Sequence, residues 1–119
     1  MTRCMICGKD LEIELLRCPS CKSAFRGRFF FSRLARLGKE EQTLAEALIL
    51  HGGNLKEMAH TLQMSYPTLK KRLNELAASL EEKRSQDQAR IDAILDAMER
   101  GEMPTEEGIK LIREINGEL

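Results

Sequence analysis

The apolar positions change their spacing part-way along the chain. In the first third they alternate: Leu11-Glu12-Ile13-Glu14-Leu15 reads as a short strand with one face apolar. Ala24 to Phe31 predicts one or two further strands, with Gly27 as a turn or bend. From Lys39 the spacing becomes helical. Lys39-Glu40-Glu41-Gln42 opens a helix with acids near its positive end, Leu44, Ala45, Leu48 and Ile49 form its inward face, and Gly52-Gly53 ends it. Asn54 followed by Glu57 is a capping-box pair, so a second helix starts at Leu55 with Leu55, Met58, Ala59 and Leu62 inward. Ser65 is another N-cap, Pro67 falls in a first turn where its missing N–H costs little, and Leu69, Leu73 and Leu76 make one apolar stripe. The run SLEEKRSQDQ (79–88) is a polar bridge or an extension of that helix. Ile91, Ile94, Leu95 and Met98 follow at helical spacing and stop at Gly101. Thr105 then caps a last helix with Ile109, Leu111, Ile112 and Ile115 on its apolar side.

The middle pair of helices has a narrower signature than a plain helical hairpin. Ala59 is small where two helices would cross, and Leu69 and Leu73 lie ten and fourteen positions further on, the core spacing of a DNA-binding helix-turn-helix. At 100° per residue the leucines point one way, while Pro67, Lys70, Lys71 and Asn74 point the other. That outward set suits a duplex: cations for phosphate and guanine, an amide for adenine. Ser65 and Tyr66 bring free backbone N–H groups to the helix start, Thr68 lies in the same turn, and Arg72 would flank the site at a phosphate. Gln63 stands where such turns favour glycine, so a left-handed residue costing on the order of 1 kcal/mol is expected there. The competing reading is that Lys70, Lys71 and Arg72 merely solvate the outer side of an ordinary helix.

The chain has 119 residues, 42% of them apolar, and no tryptophan, too little for one large core. No run of 18 apolar residues suggests a membrane span, and MTRCMICGKD does not resemble a secretory signal, so a cytoplasmic location is expected. The zero net charge hides a gradient: residues 1–38 hold eight Lys/Arg against three Asp/Glu, residues 39–78 five of each, and residues 79–119 six against eleven. Four cysteines in such a chain point to metal, not disulfides. Cys4-x-x-Cys7 and Cys18-x-x-Cys21 are two knuckles ten residues apart, able to place four thiolates around one zinc ion; rubredoxin-like iron and a redox dithiol are the alternatives. Gly8 suits the left-handed position after the first knuckle, and Lys22 holds the equivalent place after the second. Four protein ligands leave no position for an activated water, so the ion is expected to be structural. The phenylalanines, Phe25, Phe29, Phe30 and Phe31, are expected to form a mini-core or a seam with the helices. His51 and His60 have no accompanying ligand pattern and read as surface histidines. With no nucleophile–base pair or phosphate loop, an enzyme is not expected.

The expected architecture is therefore mainly α: a small β zinc ribbon at residues 1–36, a trihelical helix-turn-helix at 37–80, and a C-terminal α-hairpin at 81–119. Gly53-Asn54, Ala59, Thr68-Leu69 and Arg72-Leu73 resemble the Fis-type helix-turn-helix of bacterial transcription regulators. Together with the knuckles and the SYPT turn at Ser65 to Thr68, the chain resembles a prokaryotic family of uncharacterised proteins that join an N-terminal zinc ribbon to this helix-turn-helix. Gly101-x-Met103-x-Thr105-Glu106-Glu107 resembles a short C-terminal (SHOCT-like) hairpin, with Gly108 where a larger apolar residue is usual. The resemblance implies a transcriptional regulator that binds double-stranded DNA and carries one structural zinc ion. The hairpin is a candidate for homodimerisation or another protein contact, because two-fold operators require dimeric readers. An adaptor that holds protein partners through ribbon and hairpin, without binding DNA, is the alternative.

Overall fold

The computed structural model describes residues 2–117. It contains strands β1 (Ile13–Arg17) and β2 (Ala24–Phe29), a 3-10 turn at Leu34–Arg36, and helices α1 (Lys39–Leu50), α2 (Leu55–Thr61), α3 (Tyr66–Glu99) and α4 (Thr105–Ile115). The chain is mainly helical, a small sheet followed by helices. Two compact units emerge: residues 33–85 form one, and residues 1–32 with 86–119 form the other.

In the first of these, wholly buried Met58 and Leu69 meet beside Ala59, and Leu44, Ala47, Leu48, Leu55, Leu62, Met64 and Leu73 pack around them. α1 contributes Ala47 where the periodicity pointed to Ile49, which is 72% exposed; Leu50 beside it is 76% exposed. Position 49 falls at the margin of the apolar stripe, and in the last turn of a helix nothing obliges a neighbour to cover it. The capping follows from residue chemistry. Glu41 Oε1 accepts from Gly38 N–H at 3.2 Å, and Asn54 Oδ1 accepts from Glu57 N–H at 3.2 Å. Gln63 closes α2 in the left-handed region, φ 53°. Met64 N–H then donates to Ala59 O at 3.0 Å and Gln63 N–H to His60 O at 3.2 Å, so two orphan carbonyls are satisfied in a Schellman turn. His51 ends α1, its ring Nδ1 2.8 Å from Ala47 O and Nε2 3.3 Å from Thr61 Oγ1.

In the second unit β1 and β2 pair antiparallel, with Ile13 opposite Phe29, Leu15 opposite Arg26, Leu16 opposite Phe25 and Arg17 opposite Ala24. The register slips between Ile13 and Leu15, and the extra residue lies on β2 beside Gly27, so Gly27 marks a bulge inside one strand and not a turn between two. Arg26 pairs with Glu14 at 3.4 Å and Arg28 with Glu12 at 3.3 Å. Phe29, Phe30 and Phe31 are half-buried; Arg28 and Arg90 lie over the Phe30 ring at 5.5 and 5.8 Å, tying the hairpin to α3. Phe25, 61% exposed, is not part of this seam.

The run 79–88 is helical throughout, so α3 continues for 34 residues until Gly101 turns the chain. α4 follows with Leu111, Ile112 and Ile115 half-buried. Gly108 is the buried residue of α4: a Cβ there would collide with Sδ and Cγ of Met98. The glycine that departs from the hairpin pattern thus admits the methionine of α3.

Gly108→Ala is expected to cost at most about 1 kcal/mol, because overpacking against the flexible Met98 side chain is offset by roughly 1 kcal/mol of helix propensity gained over glycine. Met98→Ala should cost less in the Gly108→Ala background than alone. Urea unfolding of both single variants and the double variant gives the coupling; strictly additive losses would exclude this contact.

Candidate metal knuckles and nucleic-acid interface

The two knuckles are built alike. Cys4 N–H donates to Lys9 O at 2.8 Å, and Cys18 N–H donates to Ser23 O at 2.8 Å. Gly8 N–H closes the first turn on Cys4 O at 2.9 Å, as Lys22 N–H does on Cys18 O at 3.0 Å. The residue that closes each turn is left-handed, Gly8 at φ 73° and Lys22 at φ 66°. A lysine therefore adopts the conformation that glycine takes in the twin knuckle, at the modest cost of its Cβ.

These turns aim donors at sulfur. Ile6 N–H lies 3.4 Å from Cys4 Sγ, and backbone N–H groups, that of Cys7 foremost, hold the Cys4 thiol below its ordinary value. Cys21 Sγ lies 3.1 Å from Ser23 Oγ, and that hydroxyl is the main cause of a Cys21 thiol pushed down to about 7, with Ser23 N–H and Cys18 adding to it. Stabilised thiolates suit a soft or borderline cation. The structure brings Cys4 to Cys7 and Cys18 to Cys21; among the described residues no three metal-ligating side chains form a single group. The donor set and each knuckle's geometry fit zinc.

The second candidate lies at the start of α3. Ser65 Oγ accepts from Thr68 N–H at 3.3 Å and donates to Thr68 Oγ1 at 2.8 Å, so both hydroxyls anchor the first turn. No acid occurs in that turn, which leaves its positive end uncompensated. Ser65, Tyr66, Pro67, Thr68, Lys70, Lys71, Arg72 and Asn74 are all exposed. Tyr66, Pro67, Lys70, Lys71 and Asn74 share one shallow, open groove with Glu75 and Ala78. Neither Lys70 nor Lys71 has an ion-pair partner among the described residues. Arg72 turns to another side, lining a groove with Glu40, Glu41, Leu44 and Glu75. Glu75 and Ala78 were not among the residues singled out by sequence, although their spacing of four from Lys71 and Asn74 was there to find them.

The fold and these two sites describe a zinc-ribbon segment followed by a helix-turn-helix domain. Residues 4–35 match the model described as the DUF2089 zinc ribbon, and residues 37–83 match the one described as domain of unknown function (DUF2089)-HTH. The two segments cover about two-thirds of the chain, which belongs to the DUF2089 family. No curated protein and no solved structure matches it. No helix among the described residues is long and apolar enough to cross a membrane.

Relief of the left-handed residue provides a test of the turn. Gln63→Gly is expected to stabilise the helix-turn-helix by about 0.5–1 kcal/mol, the residue's backbone strain less the entropy of a glycine. A higher urea midpoint with an unchanged slope is the expected result; a lower midpoint would mean that the Gln63 side chain contributes more than its backbone costs.

Proposed function

We propose that the protein is a cytoplasmic transcriptional regulator that binds double-stranded DNA through a Fis-type helix-turn-helix. The observation that carries this reading is the outward row at the start of α3, with two lysines free of ion pairs and an amide on one groove. In this reading α3 enters the major groove by its first three turns. Lys70 and Lys71 neutralise phosphate or reach guanine, Asn74 pairs with adenine, and Ser65, Tyr66, Pro67 and Thr68 place the helix start against the backbone. Arg72, which lines a separate groove with Glu40, Glu41 and Glu75, acts at the margin. Cys4, Cys7, Cys18 and Cys21 hold one zinc ion that stabilises the ribbon and takes no part in catalysis; the protein is a binder, not an enzyme.

Exposed Leu95 and Ile109, on α3 and α4, support a contact with a second copy through the SHOCT-like hairpin. Sedimentation of the full chain should then show a dimer that Leu95→Lys disperses; a monomer at all concentrations would remove this part of the reading. A different observation favours the adaptor alternative: Met5 and Ile6, at the tip of the first knuckle, are 84% and 96% exposed, an apolar surface that a protein partner could cover.

Selection of bound fragments from random duplex DNA, with metal measured on the same sample, separates the two. One zinc per chain and an enriched motif are expected. Replacing Lys70 and Lys71 together by Ala should weaken binding to all sequences and reduce the salt slope by about one for each lysine. A folded double variant with unchanged affinity and slope would exclude this face as the reader.

A further inference from the structure

We infer that Glu75 is a specificity-determining residue of the recognition face, accepting a hydrogen bond from the N4 amino group of a cytosine in the major groove. The inference rests on the DNA-binding reading of α3 and concerns which base pair that helix selects. Glu75 lines the same groove as Lys70, Lys71 and Asn74, and its carboxylate has no ion-pair partner among the described residues. It is the first acid on α3; from Tyr66 to Asn74 there is none. An acid at the edge of a phosphate-binding surface weakens binding to every sequence unless it meets a donor. In the major groove guanine presents only acceptors, thymine an acceptor and a methyl group, and adenine an amino group beside an acceptor nitrogen that would repel the carboxylate. Cytosine alone presents an amino donor with no acceptor next to it.

The helix also sets the spacing. Lys71 and Glu75 stand one turn apart on one ridge, about 6 Å along the axis. Base pairs are stacked at about 3.4 Å, so the cytosine should lie one to two base pairs from the guanine that Lys71 reaches. Glu75 thus favours one sequence and penalises unselected DNA, a combination that a lysine at the same position could not provide.

The test is selection from a random duplex pool with the full chain, wild type against Glu75→Gln, followed by titration of the selected and of unselected duplexes. Glu75 is exposed, so the variant's circular dichroism and melting should match wild type. The expected result is a wild-type motif with cytosine one or two base pairs from guanine. In Glu75→Gln, preference at the cytosine should fall by roughly tenfold, while affinity for unselected DNA rises several-fold. An unchanged preference in the variant would overturn the inference, including the case in which affinity rises equally for all sequences, because Glu75 would then act by charge alone. If wild type retains no duplex while folded and zinc-loaded, the DNA-binding reading fails first and this inference falls with it. Loss of binding in the Lys70/Lys71 variant together with an unchanged motif in Glu75→Gln would leave that reading standing and remove only the role of Glu75.

Discussion

One contact decides how α3 is held: Leu69, wholly buried, against Met58 and Ala59. α2 has only seven residues, about two turns, and cannot be stable alone. Its hold on α3 centres on that meeting point, with Leu55, Leu62 and Leu73 packed beside it and Leu44, Ala47 and Leu48 of α1 behind. Ala59 allows the close approach, while Met58 adapts its unbranched chain to the gap left between the helices. Burying a leucine of this kind contributes on the order of 1.5–3 kcal/mol, a large share of the stability of so small a unit. The orientation of Lys70, Lys71 and Asn74 follows from it, because they occupy the side of α3 away from Leu69. A change at Leu69 would therefore act on the outward residues without touching them.

The ribbon depends on different physics. Two strands cannot bury an apolar face by themselves; Phe25 stays exposed, and the ion pairs between Glu12, Glu14, Arg26 and Arg28 are surface pairs, each worth little. Order in the knuckles comes instead from backbone hydrogen bonds repeated in both turns, each closed by a left-handed residue. In the proposed reading a zinc ion would supply the remaining stability. The seam between Phe30 and Arg90 anchors the ribbon on α3 by a cation over a ring, a contact no periodicity would reveal.

Charge is redistributed by the same pairing. Along the chain, the ends are opposite poles, basic before residue 39 and acidic after residue 78. In the fold the basic ribbon and the acidic C-terminal helices belong to one unit, whose described residues include ten Lys/Arg and eleven Asp/Glu. The helix-turn-helix unit holds nine against seven. Neither unit is a strong pole, so in the proposed reading attraction to DNA would come from the local arrangement at the start of α3 and not from a general field.

Local chemistry made much of this legible in advance. Asn54 and Ser65 cap because their side chains accept from N–H groups three residues on; Gln63 and Lys22 are left-handed because the turns demand it; the knuckles and the leucine stripe are matters of spacing. These depend on near neighbours, so residue order alone determined them. What required the tertiary structure were choices between equivalent faces and partners: Ala47 and not Ile49 against the core, Arg72 on a separate groove, Gly108 cleared for Met98, and the ribbon joined to the distant end of its own chain. Helical periodicity says which residues share a side, but it leaves open which of two flanking residues a neighbour covers. It also cannot tell which remote segment supplies that neighbour, because such contacts are set by packing between elements far apart in the chain.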